Sequence, residues 1–182
     1  KTLAHLLKYD SIHGVIDHSI KTDNDIILCD DFEVVVTHEK DIKKTHWHQV
    51  KPDFVLESSG QFKSSDQLKY HIKNGADRCI LSVPPIDNAI KMVVLGVNDH
   101  ILTPEDQIVS NASCTTNNAA PMLDVVHQKI GVKQAYISTV HSYTTDQSLH
   151  DSPHKDLRRA RAATQSIVPT TTGAAKALTK IF

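Results

Sequence analysis

Two residues in this chain have the types and surroundings to make or break covalent bonds. Cys114 sits in Ser110-Asn111-Ala112-Ser113-Cys114-Thr115-Thr116-Asn117, a turn of small residues that opens onto a helix-forming run ending at Gly131. At the start of a helix the unpaired backbone N–H groups and the positive end of the dipole favour an anion. A thiol placed there drops from a pKa near 8.5 to about 3.5–7.5, and the thiolate is the nucleophile. The flanking Ser and Thr hydroxyls add donors where that charge would rest. The competing reading is a buried structural cysteine, the commoner fate of a lone Cys. A nucleophilic cysteine needs a base or a cationic partner. His141 lies near the end of a segment read as a strand over 134–143, which follows the Cys114 helix. Strand–helix–strand packing can return the end of that strand to the start of the helix. Taken by itself, His141 is an ordinary strand histidine.

Other candidates are weaker alone. Thr172-Gly173 begins a second helix, whose free N–H groups suit a phosphate; a plain Thr cap describes the same residues. Arg158, Arg159 and Arg161 in isolation read as a solvated charge run. His46-Trp47-His48 is the one tight pair among 12 scattered histidines. Its two imidazoles could share one side of a strand and hold a metal, or be a surface pair.

These groups must be positioned by something. Leu3, Leu6 and Leu7 recur at helical spacing at the start of the chain. Asp30-Asp31 separates the apolar runs 26–28 and 34–36, which predicts a hairpin. Pro52-Asp53 leads into a strand over 54–57 that ends at Ser58-Ser59-Gly60. A helix capped by Ser64 or Ser65 and stopped by Gly75 follows, then strands over 79–81 and 92–95. Strand, helix, strand at this spacing predicts a βαβ unit and a parallel sheet. Ser59, Gly60 and Ser82 then fall at strand ends, where a doubly wound sheet binds dinucleotides. Beyond Gly131 the reading is the strand over 134–143, a structured basic loop over 147–165, a strand over 166–168 and a helix from Gly173. A domain boundary is placed near Ser113, dividing the chain into 1–113 and 114–182.

Composition narrows the class. Lys plus Arg (20) nearly cancels Asp plus Glu (21), which argues against nucleic acid or an acidic membrane as the partner. No apolar run approaches the roughly 20 residues of a membrane span. Three distant cysteines, Cys29, Cys79 and Cys114, are no disulfide framework and suit a reducing, cytoplasmic setting. The chain starts without Met in a helical pattern and stops at Ile181-Phe182 in another, which reads as a fragment.

The segment from Ser110 to Asn117 is similar to the active-site signature of glyceraldehyde-3-phosphate dehydrogenases. His141-Ser142-Tyr143-Thr144-Thr145-Asp146-Gln147 resembles the histidine motif of the bacterial and plastid members. Asp156–Ala163 and Pro169–Lys176 resemble two further blocks in order, and Leu6–Ser11 and Gly96-Val97-Asn98 agree as well. The resemblance runs from Lys1 to Phe182. It implies an α/β chain: a doubly wound, Rossmann-type NAD-binding domain lacking its first βαβ unit, plus part of an α+β catalytic domain. It implies phosphorylating oxidation of glyceraldehyde 3-phosphate, with Cys114 as nucleophile and His141 as its base. By the same likeness Ser113, Thr115, Thr172 and Gly173 surround the attacking phosphate, while Thr144, Asp146 and Arg159 take the substrate phosphate. Ser59, Gly60 and Ser82 line the cofactor cleft, and Pro153 leans toward NAD over NADP. The loop over 147–165 resembles the segment packed between subunits of the family's homotetramers. Erythrose-4-phosphate dehydrogenase is the rival within the class, and a non-catalytic binding protein that keeps the fold is the rival outside it.

The chain departs from the family pattern in places. Asn118 stands where relatives carry a second cysteine, and Ser82-Val83-Pro84-Pro85 replaces a stretch of small residues. With six glycines it has no G-x-G-x-x-G. The expectation is therefore that this polypeptide alone neither binds NAD tightly nor turns over.

Overall fold

The computed structural model describes residues 1–182, which form two compact units, Lys1–Thr45 and His46–Phe182. The first opens with helix α1 (Thr2–Lys8), whose buried residue is Ala4 while Leu3, Leu6 and Leu7 lie exposed. A tight ladder joins β1 (Tyr9–Asp10) to β2 (Gly14–Val15). The Asp10 carboxylate closes its turn by accepting the N–H groups of Ile12 (2.8 Å) and His13 (2.7 Å). An antiparallel sheet of β3 (Ile20–Asp23), β4 (Ile26–Cys29) and β5 (Phe32–Val35) follows. The expected hairpin is β4–β5, and β3 is a third strand beyond it. Both turns place a residue at positive φ, Asn24 at 49° and Asp30 at 50°. Short polar side chains tolerate that region, as two-residue hairpins require.

The second unit is built on a parallel sheet. Its strands are β6 (Phe54–Glu57), β7 (Arg78–Leu81), β8 (Lys91–Met92) and β9 (Ile108–Ser110), in the order β6-β7-β9-β8. The expected parallel βαβ unit is present in β6, α3 (Ser65–Lys73) and β7. A capping box starts α3: Ser64 Oγ accepts the Gln67 N–H (3.3 Å) and Gln67 Oε1 accepts the Ser64 N–H (3.2 Å). Gly75, just past α3, has φ +112°, and a Cβ there would lie 2.7 Å from the backbone N and Cα of His48. One apolar cluster, Leu68, Cys79, Leu81 and Ile90, fills the space between α3 and the sheet. A second joins Met92, Val94, Ala112 and Ala120 to Ala177, Leu178 and Ile181. It packs helix α4 (Cys114–Ile130) against helix α5 (Ala174–Ile181).

Several expectations are corrected. The strand placed over 92–95 is only Lys91–Met92, because the chain turns at Val94, whose N–H donates to Asn98 Oδ1 (2.8 Å). The segments 134–143 and 166–168 form no strand, since neither has a neighbour to complete a ladder; Tyr136 and Val140 are almost wholly exposed. His46-Trp47-His48 is not a strand: Trp47–Val50 forms the short helix α2, and the two imidazoles meet edge-on at 5.6 Å. The basic loop is ordered by its own hydrogen bonds. Ala163 N–H donates to Ser148 C=O (2.9 Å), Ser152 N–H to Ala160 C=O (2.9 Å) and Ala162 N–H to Asp151 Oδ1 (3.0 Å).

Candidate active site

Because the four strands are parallel, their C-terminal ends share one edge. The register aligns Glu57 with Leu81, Leu81 with Ser110, and Ser110 with Met92. Ser59-Gly60, Ser82 and the Asn111–Cys114 turn therefore all leave the sheet on the same side, where open α/β sheets hold their ligands. The turn is tied to that edge at three points. Asn111 N–H donates to Leu81 C=O (2.9 Å), Ser110 O–H donates to Val83 C=O (2.8 Å), and Ala112 N–H donates to Ser110 Oγ (3.0 Å). β9, which carries the turn, has only three residues and was not read from the sequence.

Ser113 is the N-cap of α4, its Oγ accepting the Thr116 N–H at 3.1 Å. Cys114 is thus the first residue of a 17-residue helix. Its Sγ lies 3.1 Å from His141 Nε2 and 4.0 Å from Thr115 Oγ1. His141 Nδ1 lies 2.7 Å from the Ser142 carbonyl, so Nδ1 carries a proton and Nε2 faces the sulfur. The pair shift each other. The His141 hydrogen bond, helped by Thr115, lowers the Cys114 pKa below its ordinary value despite some desolvation. The Ser142 carbonyl first, then the Cys114 sulfur, raise that of His141. Both directions favour a thiolate facing an imidazolium.

A second cluster gathers Thr144, Asp146, Arg159 and Thr170–Thr172. Arg159 pairs with the Asp146 carboxylate, donates from Nε to Thr170 Oγ1 (3.0 Å) and from NH2 to the Thr171 carbonyl (3.2 Å). Thr144 N–H and O–H both donate to Gln147 Oε1, at 2.7 and 3.2 Å. Thr172 Oγ1 accepts the Ala174 N–H (3.2 Å), and Gly173 is the N-cap of α5. Neighbouring Arg158 is spent on Asp156, whose carboxyl its forked donors hold down to about 2.

At the ends of β6 and β7, Gly60 has φ +73° and open space where a Cβ would lie, so a ligand can approach its backbone closely. Ser82 N–H donates to the Glu57 carbonyl (3.0 Å). Ser59 gives both its N–H (2.8 Å) and its O–H to the Glu57 carboxylate. Glu57 is itself buried beside His71, with Oε2 3.2 Å from Nε2, and Trp47 Nε1 donates to His71 Nδ1 (2.9 Å). This network escaped the sequence reading. Strand alternation could have found it, since Glu57 shares a face with Val55 and both are buried.

The chain matches known sequences over almost its whole length. Residues 1–65 match the family model described as the glyceraldehyde 3-phosphate dehydrogenase NAD binding domain, and residues 113–182 match its C-terminal domain. Glyceraldehyde-3-phosphate dehydrogenase of Mycoplasma pneumoniae is 48% identical over 97% of this chain and 52% of its own length. That of Thermotoga maritima is 47% identical over 98% of this chain and 53% of its own length. For the Borrelia hermsii protein of the same name the figures are 47%, 98% and 69%. The chain spans about half the length of most of the curated relatives it matches. With both family domains matched in order and identity near half over almost the whole chain, it belongs to the glyceraldehyde-3-phosphate dehydrogenase family.

Proposed function

We propose that the protein of which this chain is part oxidises glyceraldehyde 3-phosphate with NAD and inorganic phosphate, through a thioester on Cys114. The observation that carries this reading is Cys114 Sγ at the start of α4, 3.1 Å from His141 Nε2. In this scheme the Cys114 thiolate adds to the aldehyde carbon, forming a C–S bond and a thiohemiacetal alkoxide. His141 protonates that oxygen as it forms and removes the proton again as the carbonyl is regenerated. NAD, when bound, supplies the hydride acceptor. Phosphate then displaces the sulfur from the thioester, and the imidazolium of His141 stabilises the departing thiolate.

Ser113, Thr115, Thr172 and Gly173 are assigned to the attacking phosphate, supported by two helix starts with polar hydroxyls. Thr144, Asp146 and Arg159 are assigned to the substrate phosphate. Asp146 already occupies part of the Arg159 fork, so an incoming phosphate shares that guanidinium with a carboxylate. Ser59, Gly60 and Ser82 would hold the dinucleotide from the sheet edge; an open backbone at Gly60 suits such a group. A glycine-rich pyrophosphate turn is not among these 182 residues, so the chain alone is expected to bind NAD weakly and not to turn over. The division into 1–113, a partial NAD-binding domain, and 114–182, a partial catalytic domain, is supported by α4 starting at Cys114 and a family match starting at 113. A cytoplasmic homotetramer is the expected form of the full-length protein.

The test is turnover by the full-length protein. NADH should form with glyceraldehyde 3-phosphate and phosphate at least tenfold faster than with erythrose 4-phosphate, and a Cys114→Ser variant should form none. Equal or faster turnover of the four-carbon aldehyde, or an active Cys114→Ser variant, would overturn the assignment.

A further inference from the structure

The nucleophile turn contains a backbone conformation that its own residues do not favour. Ala112 is fully buried with φ +54°, a left-handed region that a residue with a Cβ adopts only at a cost. Its methyl group belongs to the apolar cluster with Met92, Ala120 and Leu178, so glycine would relieve the backbone only by leaving a void. Such a conformation persists where the surroundings over-determine it. The sheet side does this through Ser110 and Leu81. On the helix side, one side chain bridges the turn. Asn117 Nδ2 donates to the Asn111 carbonyl (2.7 Å) and to the Ser113 carbonyl (3.0 Å), so it spans Ala112 from both sides.

The helix needs this tie for a second reason. Pro121 lies within α4 and has no N–H, so the Asn117 carbonyl lacks its usual intrahelical donor and the first turn is less firmly joined to the rest. Asn is the residue that suits the place. Asp has no donor and would set a negative charge against two carbonyls; Gln is one methylene too long for a contact at this spacing.

We propose that Asn117 is a positioning residue for Cys114: by clamping the Asn111 and Ser113 carbonyls it fixes the left-handed turn and holds the sulfur against His141. This rests on Cys114 being the reactive thiolate proposed above, and Asn117 acts through the turn that carries it.

The test uses the full-length protein. Iodoacetamide labelling of Cys114 is followed by peptide mapping across a pH series for wild type, Asn117→Ala and Asn117→Ser, with circular dichroism as the folding check. In Asn117→Ala the midpoint of the rate profile should rise by about one unit, a tenfold smaller thiolate fraction below both midpoints. Asn117→Ser, whose hydroxyl can reach the Ser113 carbonyl one turn back, should fall between the two. Folded variants whose profiles superimpose on the wild type would overturn the proposal alone. A wild-type Cys114 no faster than a free peptide thiol would overturn the thiolate reading and the proposal with it.

Discussion

Replacing His71 with Leu gives a direct measure of the buried polar network beneath the end of β6. His71 and Glu57 are 4% and 6% exposed, so neither can turn to water when its partner is lost. The network is satisfied in one tautomer only. Trp47 Nε1 is a donor, so His71 Nδ1 must accept and Nε2 must carry the proton given to Glu57. Leucine fills much of the same volume and removes both bonds. Glu57 then keeps only the Ser59 donors on its other oxygen, and the half-buried Trp47 indole keeps none there. Leaving a buried charged acceptor without its donor costs about 3 kcal/mol, and the indole N–H adds about 1. The expected loss of about 3–4 kcal/mol is a large part of the 5–15 kcal/mol typical of a folded domain. Trp47, the single tryptophan, reports the transition directly. With a urea slope of about 2 kcal/mol per molar, the midpoint should fall by roughly 1.5–2 M. Glu57→Gln keeps the shape yet should also destabilise, because its amide N–H₂ would face the His71 N–H. A His71→Leu variant within about 0.5 kcal/mol of wild type, with an unchanged slope, would refute the claim that these groups depend on one another.

Further outcomes follow from the site and its frame. As pH climbs through the lowered Cys114 value, its labelling by iodoacetamide should reach a plateau at a pH where ordinary thiols are still protonated. His141→Asn removes the largest cause of that shift, so the midpoint should move back up; an unmoved midpoint would mean that the helix start alone sets the acidity. Cys79, pushed up to about 11 by burial with the Glu57 charge adding, should stay unlabelled in the same folded sample. Gly75→Ala places a methyl group 2.7 Å from the His48 backbone at φ +112°, and should cost about 2 kcal/mol or more in chemical denaturation. Ser64→Ala removes half of the α3 capping box and should cost about 1 kcal/mol by the same assay.

What the sequence displayed and what it hid divide along one physical line. Signals carried by neighbouring residues were readable: a serine cap at Ser64 or Ser65 and the Gly75 stop of α3, the Asp30-Asp31 turn, the strand at 54–57, and Cys114 at the mouth of a helix. Signals that need a distant partner were not. The stretch 134–143 has the apolar, β-branched composition of a strand, but a strand exists only where a ladder partner lies alongside, and none does here. β9 is too short to announce itself, yet it sits between β7 and β8 and leads into the turn that carries Cys114. The approach of His141 to Cys114 was a possibility of strand–helix–strand packing, but His141 reaches the sulfur from a segment outside any sheet. Its ring is oriented by the sulfur on one nitrogen and the Ser142 carbonyl on the other, while Ile137, four residues earlier, packs against the apolar cluster that includes Ala112 and Ala120. The Asn111–Ser113 turn, tied to the parallel sheet through Leu81 and Ser110, therefore matters to where the Cys114 sulfur points.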